Sequence, residues 1–160
     1  MKEFLVRNKK PICKWGSLQK GTKFRGAIPY GYDLGIAPED DYIVVDVDRH
    51  GDKDGFKKIP VDIKIELDKT FNYPTKNNGQ HFWLRYSGDK KLPNKTSGTG
   101  IDLRVRGIGY VVWYPKEPID NYIDKINKTS ENLNKWIEEV FCYSNKQNGR
   151  KNKQRNIQVK

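Results

Sequence analysis

Cysteine is nearly missing from this chain. Cys13 and Cys142 stand alone in 160 residues, and neither has a second Cys or a His at ligand spacing. That pattern speaks against a zinc site or a disulfide framework and predicts two free thiols. Long apolar runs are missing too. No stretch of about 18 apolar residues is present, and the opening MKEFLVRNKKP has no apolar segment long enough for a signal peptide, so a cytoplasmic protein with no membrane partner is expected. Neither an internal repeat nor a heptad pattern occurs. Acid is in short supply, with 31 Lys and Arg against 20 Asp and Glu, a net charge of +11. Such a surplus favours polyanionic partners, nucleic acid or nucleotides before an anionic surface.

What is present in quantity is aromatic. Four Trp, nine Tyr and six Phe offset the modest aliphatic content, because each buries a large area, and a folded chain is expected. The length suits one domain, read here as residues 1–143. The remaining 144–160 carry six Lys or Arg, no acid and almost no apolar residue, and are expected to be a disordered basic tail.

The segment YIVVDVDRHGDKDG, residues 42–55, organises the reading. Ile43, Val44, Val45 and Val47 suit a buried strand, and Asp46 and Asp48 interrupt it two residues apart. In a strand the two aspartates share a face while Val45 and Val47 point into the opposite layer. Their mutual repulsion, roughly 2 to 3 kcal/mol at an effective dielectric near 20, calls for compensation. A divalent cation is one solution, and a solvated turn before Gly51 is the other.

Around it, residues 7–18 combine basic residues with Pro11 and Trp15, and a Gly-rich stretch follows to Gly35, read as loop with Trp15 packed beneath. Tyr32 to Ala37 reads as a short strand forming a hairpin-like pair with the aspartate strand. The segment after Gly55 alternates ambiguously and is assigned to a helix broken at Pro60. QHFWLRY, residues 80–86, puts His81, Trp83 and Arg85 on one strand face; IDLRVR, residues 101–106, puts Asp102, Arg104 and Arg106 on one face and Ile101, Leu103 and Val105 on the other. After a turn at Gly107 to Gly109, YVVWY reads as a buried strand ended by Pro115. Thr129 or Ser130 caps a helix with Leu133, Trp136, Ile137, Val140 and Phe141 on one face. The expected result is one sheet, apolar toward helices on one side and bearing Asp46, Asp48, His81, Asp102, Arg104 and Arg106 on the other.

Singly, these polar residues have plain explanations as ion pairs or turn carboxylates. Together they suit nucleotidyl transfer, in which carboxylates hold Mg²⁺ or Mn²⁺ against a triphosphate and cationic donors meet the phosphates. The order D-x-D at Asp46 and Asp48, Thr75 with G-x-H at Gly79 and His81, then G-x-D-x-R from Gly100 with a glycine turn and Y-V-V, resembles the primase-polymerase domain of plasmid, phage and mobile-element replication proteins. That domain belongs to the archaeo-eukaryotic primase superfamily. The lead-in K-K-P-x-x-K-W at Lys9 to Trp15 and Y-D-L-G-I at Tyr32 to Ile36 is similar as well, so the resemblance spans Lys9 to Pro115.

The resemblance implies an α+β fold, a single domain with an RRM-like mixed or antiparallel sheet and helices packed on one face. It implies a DNA primase or polymerase in which Asp46, Asp48 and Asp102 hold Mg²⁺ or Mn²⁺ and His81 meets the phosphates of a nucleoside triphosphate substrate. Gly79, Arg104 and Arg106 are assigned to nucleotide binding, with Lys76, Asn77 and Asn78 departing from the family's usual approach to the histidine. Lys9, Lys10 and Lys14 are assigned to a single-stranded DNA template, largely through phosphates. A replicative helicase or another replication protein is the expected partner, and a chain ending after one helix is expected to need help in starting primers. Phage origin would place it in the host cytoplasm. Two readings stand beside this one: a primase-fold protein that binds DNA or a replication partner without chemistry, and a metal-dependent nuclease.

Overall fold

The computed structural model describes residues 1–142, and the basic stretch 144–160 lies outside the described residues. In chain order the strands are β1 (Lys2–Arg7), β2 (Lys10–Pro11), β3 (Asp33–Ala37), β4 (Tyr42–Val47), β5 (Arg49–His50) and β6 (Lys53–Asp54). After helix α1 (Val61–Lys69) come β7 (Asn72–Pro74), β8 (Gln80–Arg85), β9 (Lys95–Thr96), β10 (Ile101–Arg104), β11 (Val111–Trp113) and β12 (Asn127–Lys128). Helix α2 (Glu131–Phe141) follows. The architecture is α+β. A main sheet runs β12-β8-β4-β10-β9 with β7 beside β8, antiparallel except for the β12–β8 pair, and a second antiparallel sheet runs β11-β3-β1-β2.

Alternation along the central strands explains the layering. Ile43, Val45 and Val47 of β4, Phe82 and Leu84 of β8, and Ile101 and Leu103 of β10 share a core with Ile63 and Leu67 of α1 and Leu133, Trp136, Ile137 and Phe141 of α2. Pro60 occupies the cap position of α1, where its missing N–H costs nothing, so the helix begins at the proline and is not broken by it. Ser130 caps α2, its hydroxyl accepting from the Leu133 N–H at 3.1 Å, and Glu66 of α1 accepts in turn from the Ser130 hydroxyl and backbone N–H.

The opposite face departs from the expected single polar surface. Val44 and Trp83 project there and are completely buried against Ile36, Val111 and Trp113 of the second sheet. The aromatic residues of β8 and β11 are too large to leave in water, so a second layer covers them. The hairpin-like pair of Tyr32 to Ala37 with the aspartate strand does not form either. β3 pairs with β1 and β11, because the turn Pro38 to Asp41, with Asp40 at φ 54°, carries the chain from one sheet to the other. YVVWY accordingly joins the second sheet, not the first. Its outer face, with Val112, packs beside Phe4, Val6 and Ala37, under Trp15, whose ring stacks on Phe4 at 5.5 Å and meets Tyr110 edge-on at 5.8 Å.

Candidate active site

Where the two sheets diverge, the face of the main sheet that begins with Val44 and Trp83 continues as a row of polar side chains. Asp46 pairs across β4–β10 with Asp102 and across β4–β8 with His81, so the three lie side by side on adjacent strands. Asp48 follows Asp46 on the same face. One carboxylate oxygen from each of Asp46, Asp48 and Asp102 lies within 4.8 Å of the others. Asp46, Asp48 and His81 form the floor of a cavity of about 290 Å³, walled by Thr75, Lys76 and Asn77, by Lys9 in the β1–β2 turn, and by Ile108, Tyr110 and Tyr114 around β11.

Glycines set the carboxylates in place. Asp48 donates its N–H to the Gly100 carbonyl at 2.7 Å and accepts from the Gly55 N–H at 2.9 Å. A Cβ at Gly55 would sit 2.2 Å from the Gly100 oxygen, and Gly100 itself has φ +90°, so only glycine permits this contact at either position. The contact joins the end of β4 to the residue two before Asp102. Gly79 is needed for room: a Cβ there would lie 2.6 Å from the Val47 carbonyl and 3.4 Å from Asp48 Oδ1. Its N–H donates to Thr75 Oγ1 at 3.0 Å.

The electrostatics are those of an anionic pocket held partly in check. Burial raises the Asp48 carboxyl above the ordinary range, and the Asp46 charge adds to it. Burial likewise raises Asp102, against the lowering effect of Arg104, while Asp46 and Asp48 push it further up. Arg104 Nη2 donates to Asp102 Oδ2 at 3.1 Å and stands 3.9 Å from Asp46 Oδ2. His81 Nε2 lies 3.3 Å from Asp46 Oδ1, yet that oxygen is buried and accepts no hydrogen bond. A shielded carboxylate oxygen without a donor, beside two carboxyls that resist ionising together, is the environment a hard divalent cation stabilises. The all-oxygen donor set fits Mg²⁺ or Mn²⁺.

The assigned residues divide accordingly. Asp46, Asp48, His81, Arg104 and Lys9 line one cavity, with an Asp102 oxygen within 4.8 Å of the other two carboxylates and Gly79 close against Asp48. Arg106 does not join them. β10 ends at Arg104, the Val105 N–H turns to Asn94 Oδ1 at 3.1 Å, and Gly107 at φ 84° swings Arg106 to a second cavity with Lys2, Trp15, Lys20 and Asp40. Lys10 and Lys14 are exposed and outside this cavity. Sequence reasoning missed Tyr73 behind His81 and Tyr114 on the cavity wall. Tyr114 stood at the end of a run that read only as core, and Tyr73 has no spacing signal, since its contact with His81 arises from β7–β8 pairing.

No helix among the described residues is long and apolar enough to cross a membrane. No curated protein matches the chain. Residues 7–136 match the family described as Prim-Pol, bifunctional DNA primase/polymerase, N-terminal. That match covers most of the chain, including every strand of the carboxylate row, and the chain therefore belongs to the bifunctional DNA primase/polymerase N-terminal family.

Proposed function

We propose that this protein is a metal-dependent nucleotidyltransferase that adds nucleotides along a single-stranded DNA template during replication of a phage or mobile element. The observation that carries this reading is the meeting of Asp46, Asp48 and Asp102 within 4.8 Å on one sheet face, in a chain of the primase/polymerase family. Asp46, Asp48 and Asp102 would hold Mg²⁺ or Mn²⁺, which when bound supplies charge neutralisation at the triphosphate and the attacking oxygen. The chain's own groups provide the rest. His81 and Arg104 stand beside the carboxylates as donors toward phosphate oxygens, and Lys9 and Lys76 add positive charge on the opposite wall. Lys76 is held over the Tyr114 ring at 5.8 Å and 3.7 Å from Asp33, which keeps its ammonium at the cavity mouth. The template is assigned to the basic surface beyond, with Lys9 at the boundary and Lys10 and Lys14 following it.

One observation favours a second reading. Arg104 already pairs with Asp102, so the carboxylates are partly compensated by the protein, as suits a primase-fold protein that binds DNA or a replication partner without chemistry. Incorporation of labelled deoxynucleotides and ribonucleotides on single-stranded DNA, with and without an annealed primer, in Mg²⁺ and in Mn²⁺, separates the two. Products from the wild type that vanish in Asp46→Ala/Asp48→Ala support the transferase, and products without a primer make it a primase. A folded wild type that binds DNA and yields no product with any nucleotide or metal leaves the binding role.

A further inference from the structure

On the side of His81 away from the carboxylates, the Tyr73 hydroxyl lies 3.2 Å from His81 Nδ1 and 3.2 Å from Trp83 Nε1. All three residues are buried, Trp83 completely. Tyr73 faces His81 across the β7–β8 pair, and its ring is wedged between Trp113 at 5.2 Å and Phe71 at 5.6 Å, which prevents the hydroxyl from swinging aside. Burial also holds the phenol far above its ordinary range, so it keeps its hydrogen at any working pH.

An indole nitrogen donates and never accepts, so Trp83 fixes the direction of this short chain. Its N–H donates to the Tyr73 oxygen. The Tyr73 hydrogen then has one acceptor among the described residues, the lone pair of His81 Nδ1. A proton on Nδ1 would point at the same oxygen and leave the Tyr73 hydrogen buried without an acceptor, an arrangement folded proteins avoid. We propose that Tyr73 is a positioning residue that, with Trp83 behind it, holds neutral His81 with Nδ1 bare and the proton on Nε2.

The consequence falls on the catalytic side of the ring. Nε2 borders the cavity and stands 3.3 Å from Asp46 Oδ1 without making a hydrogen bond to it. A nitrogen that carries a proton is closed to a metal ion and open to an oxyanion. His81 is thereby kept out of the ligand set of the carboxylates it touches and reserved as a donor to an anionic oxygen of the phosphate class. The identity of that oxyanion rests on the nucleotidyltransferase reading; the tautomer does not.

The test is a long-range ¹H–¹⁵N correlation spectrum of the full chain labelled in histidine, at a pH where the imidazole is neutral, in a His50→Gln background that removes the other histidine. Expected is a His81 signal with protonated Nε2 and bare Nδ1. Tyr73→Phe, which deletes the hydroxyl and keeps the ring, should give mixed or inverted tautomers and raise the nucleotide KM roughly tenfold with a smaller change in kcat. A proton on Nδ1 in the wild type overturns the proposal, and so does a Tyr73→Phe spectrum with the tautomer unchanged. If Tyr73→Phe does not fold, the wild-type spectrum alone decides. An Nε2-protonated His81 in a protein that incorporates no nucleotide upholds the positioning role and removes the transferase reading instead.

Discussion

Asp48 and Asp102 are each held by burial and by neighbouring carboxylates above the usual carboxyl range, and this fixes the sign of several outcomes. A carboxyl whose folded pKa is raised contributes stability below its unfolded pKa and loses that contribution as pH rises through the folded value. The metal-free protein is therefore strained at neutral pH by these charges. Asp102→Asn should raise its melting temperature. The same change should cut nucleotide incorporation by ~100-fold or more, since even the outer partners of a metal ligand are worth 10- to 100-fold. Calorimetry without metal, paired with an incorporation assay, checks both halves; a variant that melts lower and polymerises normally contradicts them. Protons and metal compete for the same oxygens. Stabilisation by Mn²⁺ should accordingly shrink as pH is lowered from neutrality toward the carboxyl range, readable as a falling shift in melting temperature.

Among elements, the division of labour runs through the main sheet. α1 and α2 pack on the face of Val45, Val47 and Phe82, whereas the carboxylates and His81 stand on the other, so stability of the helical layer and chemistry of the cavity are separable. Ser130→Ala removes the hydroxyl that caps α2 and meets Glu66. It should cost about 1 kcal/mol and lower the melting temperature by roughly 2 to 4 °C. Both kcat and the nucleotide KM should stay at wild-type values, and a loss of kcat in this variant would mean that the helical layer communicates with the cavity. The helix period of α2 and the two-residue alternation of β4, β8 and β10 were legible in the sequence because each reports local geometry facing one apolar layer. The partners of β3 and β11 were not, since a short apolar run fits the edge of either sheet equally well until Trp83 and Trp113 require a common cover.

At the scale of the whole molecule, a chain of net charge +11 carries an anionic carboxylate cluster. Binding of single-stranded DNA should weaken steeply with salt as phosphate contacts release counterions. Lys9 lines the cavity, with its backbone in the left-handed region at φ 66° and its carbonyl accepting from the Tyr110 hydroxyl at 2.8 Å. Lys9→Ala should weaken binding of all template sequences alike and lower the magnitude of the log–log salt slope by about one; an unchanged slope, measured by fluorescence anisotropy across a salt series, would remove Lys9 from the phosphate path. The sequence by itself determined the carboxylates, the histidine and the family, because D-x-D on a strand, G-x-H and G-x-D-x-R are local patterns whose side chains share a face whatever the strands pair with. Only the tertiary structure decided that Asp102, Asp46 and His81 are neighbours on three adjacent strands, that Arg104 belongs to the cavity and Arg106 does not, and that Tyr73 stands behind the histidine. Those outcomes depend on strand register, on where a strand ends and on which layer covers an aromatic face, all of which are settled by packing between residues far apart in the chain.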